Sequence, residues 1–71
     1  MKFLCKVEAS MPDQSPNRYN KVFEITVKAA DANEAIALAE NNVDRDIRNG
    51  KLEFPFHQAE QIDCFSVTKI G

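Results

Sequence analysis

Seventy-one residues with nine Lys and Arg against eleven Asp and Glu carry a formal charge of −2, a total that offers no overall attraction to a phosphate backbone. With 44% apolar and 28% charged residues, the chain is too hydrophobic for a disordered polymer and long enough for one small core, so a single domain over 1–71 is expected. No apolar run is long enough to span a bilayer, and Met1 to Ala9 alternates charged with apolar side chains, so no membrane association and a cytoplasmic location are expected.

Lys2 to Ala9 alternates, with Phe3, Cys5, Val7 and Ala9 on one side and Lys2, Leu4, Lys6 and Glu8 on the other, the period of a strand. Leu4 interrupts the polar row, as a central strand partly covered on both faces tolerates. Ser10 to Asn20 contains Pro12 and Pro16 among turn-forming residues and reads as a long loop. Its Met11, Arg18 and Tyr19 are candidates for contact with a partner, because Tyr and Arg are enriched at energetically important interface positions. Lys21 to Lys28 is a second strand, with Phe23, Ile25 and Val27 facing inward.

From Asp31 to Gly50 the pattern becomes helical. Ala32, Ala35, Ile36, Ala39, Val43 and Ile47 form one stripe, while Asn33, Glu34, Ala37, Asn41, Asp44, Arg45 and Arg48 share the opposite side. Asp31 is a suitable N-cap, and Glu34 stands three residues later where its carboxylate can reach back. Gly50 can take the positive φ that ends a helix, and Arg45 and Arg48 lie at the negative end of the dipole. Lys51 to Phe56 places Leu52, Phe54 and Phe56 on one side and is at best a short edge strand, since Pro55 lacks a ladder donor. His57 to Gln61 is a polar loop or a single helical turn. Ile62 to Ile70 is the last strand, and its facing is ambiguous: Ile62 and Cys64 occupy one side, Phe65 and Val67 the other.

A crossover from the second strand through the helix to the last one leaves a gap that the first strand fills. The expected fold is α+β, an antiparallel sheet of three to four strands (ββαβ, order second, first, last) with one helix on one face. Charge divides along the chain: residues 1–30 sum to +2 and residues 31–63 to −5. A somewhat basic sheet under an acidic helical layer follows. The open face should carry Leu4 with one of the two apolar pairs of the last strand, and Leu52, Phe54 and Phe56 need cover. That segment is expected to fold over the open face or to leave an apolar interaction patch.

Residues for chemistry are few. His57 is the sole histidine, and Cys5 and Cys64 lie inside strands, where thiols behave as small hydrophobes. The two cysteines fall in neighbouring strands and, with no export signal, are expected to be reduced. Their spacing with His57 matches no zinc motif, and Asp44 with Asp46 points to different sides of a helix. Only Gly50 and Gly71 are available for phosphate loops or nucleophile elbows. No catalytic group, metal or cofactor is therefore expected, and the chain reads as a non-enzyme. Single-stranded nucleic acid tracked across Lys2, Lys6, Lys21 and Lys28 with Arg18 and Tyr19 is an alternative, though no aromatic pair recurs on the outward rows.

Two strands joined by a Pro-containing loop, a strand-to-helix junction over Val27 to Glu40 and a closing strand resemble the architecture of small mobile-element proteins of phage type, small anti-CRISPR proteins among them. The resemblance implies action by occupying a partner's surface, with no functional residue carried over. The expected function is a protein-interaction module, an inhibitor of a host-defence complex of CRISPR type being its specific form. Arg18, Tyr19, Leu4, Phe54, Phe56 and Phe65 are the candidate contacts. A second version turns Glu34, Glu40, Asp44 and Asp46 toward a basic groove of a nucleic-acid-handling partner. Pairing of exposed strand edges into a homodimer is the remaining alternative.

Overall fold

The computed structural model describes residues 1–11 and 19–71. Three strands, β1 (Lys2–Met11), β2 (Tyr19–Lys28) and β3 (Gln61–Lys69), form an antiparallel sheet in the order β2-β1-β3, and one helix, α1 (Ala32–Arg48), covers one face. The fold is a small α+β one, with three strands in the expected order. β1 and β2 are longer than the alternation indicated: Ser10, Met11, Tyr19 and Asn20 extend the ladder, Ser10 pairing with Asn20 and Met11 with Tyr19. Arg18 lies outside the described residues.

The helix starts and stops as its ends dictate. Asp31 accepts a hydrogen bond from the Glu34 N–H at 2.8 Å, and the Glu34 carboxylate accepts from the Ala30 N–H at 2.6 Å, so one free first-turn donor and the N–H just before the cap are both satisfied. Gly50 takes φ +83° just past the C-cap Asn49, a conformation that a Cβ would strain. Ala35, Ala39, Val43 and Ile47 are buried against Phe3, Cys5, Val7 and Ala9 of β1 and Phe23 and Val27 of β2. Ile36 is half-buried and Ala32 exposed, so the core stripe is narrower than the periodicity indicated.

β3 resolves its ambiguity by changing phase. Val7 pairs with Cys64 and Lys6 with Ser66, leaving Phe65 as an extra residue in a β-bulge. Before the bulge Ile62 and Cys64 pack against the core; after it Val67 does so instead. Neither apolar pair is left on the open face, which corrects the expectation that one must be. That face consists mainly of Lys2, Lys6, Glu8, Val22, Glu24, Thr26, Lys28, Asp63, Ser66 and Thr68, with Leu4 half-buried between Thr26 and Thr68.

Lys51 to Phe56 forms no strand, contrary to the optional edge strand. The Leu52 N–H is taken by the Asp46 carbonyl at 2.9 Å, which holds the chain against the helix terminus. Phe54 then joins the same core as α1, and a tight turn follows at Pro55–His57. The segment extends the helical layer rather than covering the open face.

Candidate protein-binding surface

The turn at Pro55–His57 has backbone features that its composition does not announce. Pro55 fixes one φ, after which Phe56 (φ 59°, ψ 13°) and His57 (φ 52°) both enter the left-handed region, where each non-glycine residue is strained by about 1–3 kcal/mol. Hydrogen bonds from His57 N–H to the Phe54 carbonyl (3.1 Å) and from Gln58 N–H to the Pro55 carbonyl (3.3 Å) hold the turn. Its base is anchored by Phe54, only 5% exposed, whose ring meets that of Tyr19 edge-on at 5.2 Å and 83°. Lys21 adds a second tie: its ammonium donates to the Glu53 carbonyl at 3.2 Å and lies 5.3 Å from the Phe23 ring centroid. The result is a supported loop whose outermost ring, Phe56, is 85% exposed.

The candidate contacts therefore do not form one patch. Tyr19, Phe54 and the turn bearing Phe56 are neighbours at the end of the sheet where β1 runs out and β2 begins. Phe54 serves as their buried support. Leu4 sits mid-sheet on the open face between two threonines, and Phe65, 54% exposed, marks the bulge of β3. Arg18 adjoins Tyr19 in sequence and lies outside the described residues.

The four carboxylates of the acidic alternative each have partners within the chain. Glu34 is engaged in the N-terminal cap, and Glu40 accepts the Cys64 backbone N–H at 3.0 Å. Asp44 pairs with Arg48 at 3.3 Å, and Asp46 with Arg45 at 3.0 Å. The hydrogen bond from Arg45 is the main reason that the Asp46 carboxyl lies below the usual carboxylate range, with smaller contributions from the Arg45 charge, Asn49 and Lys51. An open acidic groove is lined instead by Glu8, Glu60 and Asp63 with Ser10, Gln61 and Ile62.

The lysines of the nucleic-acid alternative do not share a face. Lys2, Lys6 and Lys28 are on the open side, with Glu24 3.9 Å from Lys6, whereas Lys21 is aligned with Ala9 on the helix side. Glu8 and Asp63, directly opposite each other, interrupt any basic track.

No metal-ligating cluster occurs among the described residues. Both thiols are free. Cys5 is fully buried, and burial, followed by the neighbouring Cys64 thiol, pushes its pKa up. His57 lies beside Gly50 at the C-terminal end of α1, near Arg48 and Gln58, and hydrogen-bonds to neither thiol. No helix among the described residues is long and apolar enough to cross a membrane.

No protein-family model, no curated protein and no solved structure matches the chain. The segment presents the aromatic side chain of Phe56 on a braced, strained turn, and Phe54 at the base of that turn touches the half-exposed Tyr19. Phe56 is among the contacts expected from the sequence, but there as one apolar residue of a segment needing cover and not as the tip of a turn. Its outward presentation depends on left-handed backbone at two non-glycine residues, for which Pro-Phe-His contains no signal.

Proposed function

We propose that the chain is a non-enzymatic interaction module that binds another protein through the Phe56 turn and the adjoining Tyr19. The observation that carries this is the solvent-exposed Phe56 held at φ 59°. Local strain persists where surrounding structure over-determines it and concentrates at binding sites, and aromatic anchors entering a partner's pocket dominate interface energetics. The Phe56 ring, 85% exposed, is free to enter a partner's pocket. Inhibition of a host-defence complex of CRISPR type by surface occlusion is the specific form of this proposal, supported by the architectural resemblance to small phage-type proteins.

Affinity capture with the wild-type chain and with Phe56→Gly tests the binding surface. Glycine removes the ring and accepts the positive φ without strain, so folding stability should be retained while a specifically captured protein is lost. Identical capture by both chains would remove the turn from the interface. For the specific form, expression in a CRISPR-immune bacterial host should restore plaque formation by a targeted phage, and unchanged immunity would reject it.

A further inference from the structure

The two edges of the sheet are not equivalent. On β3 the Glu40 carboxylate takes the Cys64 N–H and a bulge interrupts the strand, two devices that blunt an edge against pairing. On β2 the first half is tied to the 53–54 segment through Lys21 and Tyr19. Among the described residues, no side chain or loop hydrogen-bonds the backbone of Glu24 to Lys28 from outside the sheet.

That free half has a self-complementary sequence. Glu24-Ile25-Thr26-Val27-Lys28, laid antiparallel on a second copy about Thr26, sets Glu24 opposite Lys28, Ile25 opposite Val27 and Thr26 opposite itself. The faces agree as well: Glu24, Thr26 and Lys28 are on the open face, and Ile25 and Val27 on the helix side. Opposite charges and β-branched residues are favourable cross-strand partners. Lys28 stands directly opposite Lys2 within the sheet, and neither has an ion-pair partner among the described residues. A partner's Glu24, exposed and held only loosely at 3.9 Å by its own Lys6, would supply the missing carboxylate.

We infer that the chain forms a two-fold dimer by antiparallel pairing of Glu24–Lys28 with the same segment of a second copy, giving a continuous six-stranded sheet. This interface is isologous and separate from the Phe56 turn, so its failure leaves the proposed partner surface untouched.

Sedimentation velocity over a concentration series should show reversible dimerisation. Glu24→Lys should weaken it about tenfold by opposing lysines at both symmetry-related pairs, and adding Lys28→Glu should restore it. Thr26→Cys in a chain with Cys5→Ala and Cys64→Ala should yield a covalent dimer under mild oxidation by oxidised glutathione, because the two Thr26 positions meet at the axis. A monomer throughout the series, or a dimer indifferent to the charge reversal and lacking the cross-link in the Thr26→Cys chain, would overturn the assignment.

Discussion

The carboxylate of Glu40, midway along α1, accepts the backbone N–H of Cys64 at 3.0 Å. Helix and bulged edge strand are thereby joined by a charge-assisted bond in a partly buried setting, and one donor of that edge is occupied. Glu40→Ala should destabilise the fold by about 1–3 kcal/mol, the loss for a buried donor deprived of a charged acceptor. Urea denaturation measures it; an unchanged midpoint would mean that the bond contributes nothing net.

The cap at the N-terminal end of the helix should respond separately. Asp31→Ala removes the acceptor for the Glu34 N–H and should lower stability by about 0.5–2 kcal/mol, whereas Asp31→Asn or Asp31→Ser should recover most of it. Thermal melts of the three variants distinguish capping from a general charge effect, which the uncharged replacements would not restore.

Ile47 is fully buried at the C-terminal end of α1 and belongs to the core that includes Phe54. Truncation to Ala should remove about 2–5 kcal/mol, comparable with the whole net stability of a domain this small. Loss of a cooperative thermal transition in Ile47→Ala is the expected result. A folded variant with only a small shift in midpoint would show that the site collapses around the smaller side chain.

The two thiols should differ in reactivity. Cys5 is fully buried with its pKa raised by burial, while Cys64 is partly accessible. Iodoacetamide should therefore label Cys64 in the native chain and Cys5 only after denaturation, read by intact mass and peptide mapping. A raised folded-state pKa means that the contribution of the protonated Cys5 thiol is complete below the ordinary cysteine range. It declines as the pH rises through that range toward the folded-state value.

Acid should act through Asp46. Its folded-state pKa is lowered, chiefly by the Arg45 hydrogen bond. Its contribution is thus present above the ordinary aspartate value of about 3.9 and is lost as the pH falls from there through the lowered one. Asp46→Asn should flatten the acid limb of a stability profile slightly and leave neutral stability little changed, as befits an exposed pair.

Local rules in the sequence determined the helix with its Asp31 cap and Gly50 stop, the alternation of β1 and β2, and, with the handedness of the crossover, the strand order β2-β1-β3. These features follow from periodicity, capping and chirality, each written within a few residues. Tertiary structure alone decided the rest. The phase of β3 turned on whether Phe65 would be paired or extruded, and that depended on fitting Ile62, Cys64 and Val67 to one helix. The path of residues 51–57 depended on Phe54 finding space under the end of α1 and beside Tyr19. Those choices were settled by competition for one shared core among side chains distant in sequence, which no periodic pattern within a single segment encodes.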